Sequence, residues 1–150
     1  MLDPETNLEL RRLAERYARH ADSGDSDEFV QAFLPDARVH VYYPPEATTT
    51  MSDMRGHDEL RAIPAMLAKA YDRTFHLIAN TSYEVDGERA TGWVYCLAHH
   101  LSTTRHGGTS YVMHIRYEDE YGRDADGAWR IADRRVNIEW TETRTANRAP

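Results

Sequence analysis

The segment from Thr74 to Gly87 constrains the fold more than any other part of the sequence. It is rich in residues that favour strands, and it ends in Asp86-Gly87, one of the strongest signals for a hairpin turn. Alternate side chains of a strand point to opposite faces. One predicted face therefore carries His76, Ile78 and Asn80, and the other carries Phe75, Leu77 and Ala79. If the first face is buried, its histidine and asparagine need polar partners, although such a histidine is more often a satisfied core residue than a functional one.

Long strands are also predicted after this hairpin turn. They cover residues 89–104, 109–121 and 128–141, and the residues from Glu142 onward are polar and expected to form a frayed tail. Strand 89–104 is apolar on both faces, so both faces of the sheet are expected to be covered. Helices can cover one face, and the simplest cover for the other is a second subunit. A homo-oligomer, either a dimer or a trimer, is therefore expected.

A helix is predicted near the start of the chain. Asp3 as N-cap and Pro4 at the first helical position begin it, an apolar stripe at helical spacing follows, and Gly24 ends it. Asp22 falls in the last turn, where the helix dipole disfavours a carboxylate. Helix stability gives no reason for this residue, which is either an exposed turn residue or a functional one.

The region between this helix and the Thr74 strand is predicted to hold two more helices and one strand. A short helix capped by Ser26 precedes a strand over 37–43. A helix over 56–71 follows, and Pro64 should kink it or split it in two. Residues 44–55, with two prolines and three successive threonines, form a predicted long loop and a candidate lid over a cavity. Helices gathered on one face of an antiparallel sheet make an α+β domain, and 150 residues suit one domain.

Charge, cysteine content and motif spacing exclude several classes of function. A net charge of −7 without a basic block argues against a nucleic-acid or anionic-membrane surface. The single cysteine, Cys96, cannot form an internal disulfide and fits a reducing compartment. The chain has no long apolar stretch and no leader-like start, so a soluble, cytoplasmic protein is expected. There is no Gly-rich phosphate loop or nucleophile elbow, and the spacing of His76, His99 and His114 does not support a metal site.

The order of motifs resembles the SnoaL-like branch of the NTF2-like superfamily. The resemblance is carried by ERYARHADSGD over 15–25 with FLPDA over 33–37, HLIAN over 76–80, and DGAWRIADR over 126–134. It implies a cone-shaped α+β fold in which a curved antiparallel sheet packs against about three N-terminal helices, as one domain over 1–150 with a flexible tail from 142. The superfamily hosts dehydratases, isomerases, cyclases, a dehydrochlorinase, oxygenase small subunits and non-enzymes, so it implies the fold more strongly than the reaction.

The resemblance to the dehydratase and dehydrochlorinase members also implies roles for five residues. Asp22 and His76 match an acidic residue at the end of the first helix and a histidine that opens the strand after the third helix. Tyr17 matches a tyrosine that precedes the acidic residue, and Arg134 matches an arginine of the last strand. His99 falls near a polar pocket position at which the members differ, so the resemblance does not identify the proton donor.

This set of side chains suits acid–base chemistry without a metal or organic cofactor. In a His–Asp pair the carboxylate orients the imidazole and stabilises the imidazolium, so Asp22 and His76 would form a general base. Tyr17 can donate to a carbonyl or enolate oxygen, and His99 or a tyrosine can protonate a departing hydroxyl. The predicted reaction is β-elimination of water from a polyketide-, terpenoid- or steroid-like hydroxy-carbonyl compound. The alternatives are isomerisation or cyclisation with the same residues, and a non-catalytic ligand-binding or oxygenase small-subunit-like domain.

A small hydrophobic substrate is expected to occupy a pocket in this domain. Nine tyrosines and three tryptophans make the chain rich in aromatic residues, which suits a pocket for an apolar ligand. The residues predicted to line that pocket are Tyr42, Ile78, Asn80, Trp93, Tyr95 and Met113. A scaffold protein has no need of polar groups such as Asp22 and His76 in a cavity, so an enzyme is the preferred prediction.

Overall fold

The structure, a computed structural model, describes residues 3–147, and these form helices and strands in an α+β arrangement. The helical segments are α1 (Pro4–Ser23), α2 (Ser26–Val30), α3 (Gly56–Leu60) and α4 (Ala62–Ala70). The strands are β1 (Phe33–Tyr42), β2 (Ser52–Arg55), β3 (Arg73–Asp86), β4 (Arg89–Thr104), β5 (Gly107–Arg123) and β6 (Trp129–Ala146). No helix in this described part is long and apolar enough to span a membrane.

All strands belong to one sheet, in the order β2-β1-β6-β5-β4-β3. The long strands β3 to β6 are antiparallel neighbours, as predicted. Strand β1, however, runs parallel to β6, so the predicted antiparallel sheet is mixed at this position. Alternation of apolar and polar residues identifies a strand but carries no information about the direction of its neighbour.

The predicted helix boundaries of the N-terminal half are right in part. The Asp3 carboxylate accepts from the backbone N–H of Glu5 at 2.9 Å, and Gly24, at φ +76°, ends α1, as expected. Helix α2 is capped by Asp25 rather than by Ser26, whose hydroxyl instead donates to the carbonyl oxygen of Arg61 at 2.8 Å. The predicted third helix is split into α3 and α4.

Two predicted irregular segments contain strands. Strand β2 pairs with β1 at one edge of the sheet, so the predicted loop over 44–55 is reduced to residues 43–51. Strand β6 pairs with β5 as far as Ala146, so the predicted frayed tail is wrong up to that residue. Residues 148–150 of that tail lie outside the described residues. Both predictions missed backbone pairing with a neighbouring strand, which polar side chains do not prevent.

The two faces of the sheet differ in what covers them. The inner face, which carries Val94, Cys96 and Ala98 of β4, packs into the main hydrophobic core together with the helices. The outer face carries Trp93 and Tyr95 of the same strand. Val94 is fully buried whereas 43% of Trp93 is exposed, so the predicted alternation of β4 is confirmed.

Candidate active site

Asp22 and His76 are in direct contact on the inner side of the sheet. Helix α1 packs against β3, which brings together two side chains that are 54 residues apart in the sequence. The Oδ1 atom of Asp22 lies 2.7 Å from Nδ1 of His76 and also accepts from the Thr74 hydroxyl at 2.8 Å. The Oδ2 atom accepts from the backbone N–H of His76 at 2.9 Å. The predicted contact is therefore present, and the carboxylate in the last turn of α1 has three donors from β3.

This arrangement determines which atoms can exchange protons. Burial by itself raises the pKa of Asp22, but the hydrogen bonds and charge of His76 and the hydrogen bond of Thr74 outweigh it and bring the pKa below its ordinary value. The carboxylate is therefore ionised at neutral pH and accepts from Nδ1–H of His76. In a neutral imidazole with hydrogen on Nδ1, the nitrogen that takes up a proton is Nε2.

A second histidine on the inner face was missed by the sequence prediction. His99 was expected near the pocket, but it belongs to the outer face, whereas His100 is buried on the inner face. The His100 ring lies 5.9 Å from the His76 ring, and its Nδ1 is 3.1 Å from the carbonyl oxygen of Tyr111. Burial lowers the pKa of His100. Alternation places His100 on the same face of β4 as Cys96 and Ala98, and the structure shows that this face is the interior.

Tyr17 lies next to the Asp22–His76 pair. Its ring packs edge-on against the His76 ring at a centroid distance of 6.2 Å. Burial raises the pKa of Tyr17, and its hydroxyl interacts with that of Tyr117. The phenol therefore stays protonated at neutral pH and remains a hydrogen-bond donor.

Arg134 is not placed where it could contact a substrate. Its side chain is 0% exposed, and its Nε and Nη2 atoms donate to the two carboxylate oxygens of Asp119 at 2.8 and 2.7 Å. The guanidinium lies over the rings of Tyr17 and Tyr117 at 4.4 and 4.1 Å. Burial acts to lower the pKa of Arg134, but Asp119 raises it above its ordinary value. The predicted catalytic contact is thus replaced by a buried ion pair that supports Tyr17.

The predicted pocket residues are divided between the two faces. Ile78 and Met113 lie on the inner face, opposite Cys96 and Ala98 respectively, and pack against the core. Tyr42, Trp93, Tyr95 and Asn80 do not lie there, so their assignment to the same pocket is wrong.

Two local features explain these misplacements. The pairing of β3 with β4 shifts between Ile78 and Thr81, and this irregularity leaves Asn80 exposed. Tyr42 follows the alternation of β1 to the outer face, where the Arg135 guanidinium lies 3.5 Å from the centre of its ring. The shift in pairing cannot be read from the period of hydrophobic residues, whereas the side taken by Tyr42 agrees with that period.

The hydrophobic core is extended by partly buried apolar side chains. They pack against it from both the helices and the sheet, namely Leu34, Val41, Met54, Ile63, Leu67, Ile78 and Met113. Among the residues that the structure describes, no group of three or more His, Cys, Asp or Glu side chains is placed to hold a metal ion. The site thus combines a hydrogen-bonded carboxylate–imidazole pair, a second imidazole and a phenol.

Comparison with known proteins identifies similar sequences and structures. A family model for the SnoaL-like domain matches residues 4–135. The protein of unknown function Rv3472 from Mycobacterium tuberculosis is 26% identical, with a TM-score of 0.72 over 94% of this chain and 72% of that one. The Kfla4162 protein from Kribbella flavida is 23% identical, with a TM-score of 0.79 over 93% and 95% of the two chains.

A hexachlorocyclohexane dehydrochlorinase from Novosphingobium barchaimii is also similar in structure. It is 16% identical, with a TM-score of 0.77 over 97% of this chain and 95% of that one. Other matched structures have the cystatin-like fold of NTF2-like proteins, so the predicted fold is confirmed. No curated protein matches the sequence.

Proposed function

The chain belongs to the SnoaL-like domain family, and on that premise we propose that it is an acid–base enzyme for a small apolar molecule. The proposed reaction is the elimination of water from a hydroxy-carbonyl compound. The observation that carries this proposal is the 2.7 Å contact between Asp22 Oδ1 and His76 Nδ1, in which the carboxylate orients the imidazole. The dehydrochlorinases of similar fold are named for an elimination reaction, which supports the same class of chemistry here.

The proposed mechanism uses one imidazole twice. His76 Nε2 takes a proton from the carbon next to the substrate carbonyl, and Asp22 stabilises the imidazolium that forms. Tyr17 donates a hydrogen bond to the enolate oxygen. The imidazolium then gives its proton to the departing hydroxyl, and the products are water and an α,β-unsaturated carbonyl compound.

His100 has a different role in this proposal. Because burial lowers its pKa, it is neutral at pH 7, and its Nδ1–H is directed to the carbonyl oxygen of Tyr111. Its Nε2 is therefore an acceptor that can hold the hydroxyl group of the substrate. Isomerisation is the second candidate function, because the same Asp22–His76 pair could return the proton to another carbon of the substrate.

Substitution of the paired residues tests the proposal. Asp22→Asn is expected to keep the fold and to lower turnover of a panel of β-hydroxy ketones by about 100-fold or more, because an amide does not stabilise an imidazolium. His76→Ala should lose at least as much. The double variant should be scarcely worse than the worse single variant, since the two residues act as a unit. Enone absorbance measures the activity, and the melting temperature is followed alongside.

The neighbouring histidines of β4 provide a matched control. His100→Ala on the inner face should lower activity, whereas His99→Ala on the outer face should leave it unchanged. The proposal of an enzyme would be contradicted by additive losses for Asp22→Asn and His76→Ala, or by normal turnover in His76→Ala. Either result would favour a ligand-binding domain. We expect the inactive variants to stay folded, with Asp22→Asn somewhat less stable at neutral pH because the Asp22 carboxylate accepts three hydrogen bonds.

A further inference from the structure

A recess lies between α1 and the start of β6, and it includes none of the residues of the proposed active site. We call it the arginine groove, because Arg12, Arg16 and Arg19 of α1 and Arg130 of β6 line it. Its volume is about 640 Å³, which is in the range of sites for small molecules. Its remaining lining residues are Glu9, Leu13, Glu15, His20, Glu28, Ala128 and Trp129.

The arginines of the groove are only partly compensated by acidic side chains. Arg12 lies four positions before Arg16 in α1 and Arg19 lies three positions after it, and residues three or four apart in a helix lie on the same side. Arg16 pairs with Glu28 at 3.0 Å. Among the described residues, Arg12 and Arg19 have no hydrogen-bond or ion-pair partner. Two free guanidinium groups in a protein of net charge −7 mark this groove as a local site for anions.

The wall of the groove also contains buried polar atoms without partners. Trp129 is only 2% exposed, and its indole Nε1–H has no hydrogen-bond partner within residues 3–147. The Nδ1 atom of His20 is likewise buried without a partner in that range. Buried polar groups in native proteins are nearly always satisfied, and an indole nitrogen can only donate. The missing partner of Trp129 must therefore be an acceptor.

We propose that the arginine groove binds a small organic anion through a carboxylate or phosphate group. Arg12 and Arg19 supply the positive charge, Trp129 supplies a neutral donor, and Leu13 supplies an apolar contact for the carbon part of the ligand. Arg123 lies over the Trp129 ring at 4.3 Å and adds positive charge beside the indole. This binding site goes beyond the proposed function and does not depend on it.

The indole N–H signal of Trp129 in an NMR spectrum provides a test that needs no enzyme activity. Trp129→Phe assigns the signal by its loss, and the protein is titrated with inorganic phosphate, pyrophosphate and citrate at constant ionic strength. A saturable shift of this signal is expected with at least one of the three anions. Arg12→Gln and Arg19→Gln should each weaken binding by about tenfold or more, because each removes a charge-assisted hydrogen bond.

A control variant and the choice of anions separate specific binding from general charge effects. Arg105→Gln removes the same charge from the exposed turn between β4 and β5, and it should leave the affinity unchanged. Binding of the phosphates alone would identify a phosphate ligand, binding of citrate alone a carboxylate, and both outcomes support the site. No saturable shift with any anion, or equal weakening by Arg105→Gln, would overturn the proposal.

Discussion

Arg134→Leu is expected to destabilise the protein more than the removal of any surface charge. The guanidinium of Arg134 is fully buried and donates two hydrogen bonds to Asp119, which is itself only 3% exposed. The hydroxyl of Tyr121 also donates to Asp119, at 2.7 Å. After the substitution, the Asp119 carboxylate would still be buried. Among the described residues, the Tyr121 hydroxyl would be its one remaining hydrogen-bond donor.

The size of the effect follows from this loss of compensation. Breaking a buried ion pair by removing one partner typically costs about 3–5 kcal/mol, because it leaves an uncompensated buried charge. Proteins of this kind are stable by about 5–15 kcal/mol, so the loss is a large part of the total free energy of unfolding. With a urea dependence of about 2 kcal/mol per molar, a loss of about 4 kcal/mol lowers the urea midpoint by about 2 M.

Urea denaturation followed by circular dichroism measures this loss, and a double substitution tests its cause. Asp119→Leu should be destabilised by a similar amount, because it leaves the arginine without its partner. The double variant Arg134→Leu/Asp119→Leu should be more stable than either single variant, since no charge remains buried. The reasoning is refuted if each single variant loses less than about 1 kcal/mol, the value of an exposed pair, or if the two losses add.

Three further predictions concern assembly, the loop and acid stability. Trp93→Asp should dissociate a homo-oligomer, because Trp93 is exposed on the outer face, and Val94→Asp should unfold the chain, because Val94 is buried. A sedimentation mass of 17.3 kDa for the wild-type protein would contradict the oligomer. Amide exchange in residues 43–51 should slow when a ligand binds, and equal exchange would show an ordinary surface loop. Because the pKa of Asp22 is lowered in the folded protein, its contribution to stability is complete above about pH 4 and is lost as the pH falls through the lowered pKa. Asp22→Asn should therefore flatten the acid end of a plot of melting temperature against pH.

Local sequence patterns determined most of the secondary structure. The capping residue Asp3 and the terminating Gly24 are local signals, because they satisfy backbone groups within one turn of the helix, and both are where they were predicted. The alternation of Trp93 and Val94 is equally local, since it follows from the geometry of a single strand. The contact of Asp22 with His76 was anticipated from resemblance to a family, not from any pattern within the chain.

Only the tertiary structure decided which of two opposite faces became the interior. Alternation places His99 and His100 on different sides of β4, but it does not say which side the helices cover. An irregularity in pairing then reverses the direction of Asn80, and no hydrophobic pattern predicts where that irregularity occurs. Arg134 can be buried only because Asp119, on the neighbouring strand, supplies the opposite charge. The absolute placement of polar side chains depends on partners distant in sequence, whereas helices, strands and their periods depend on neighbours along the chain.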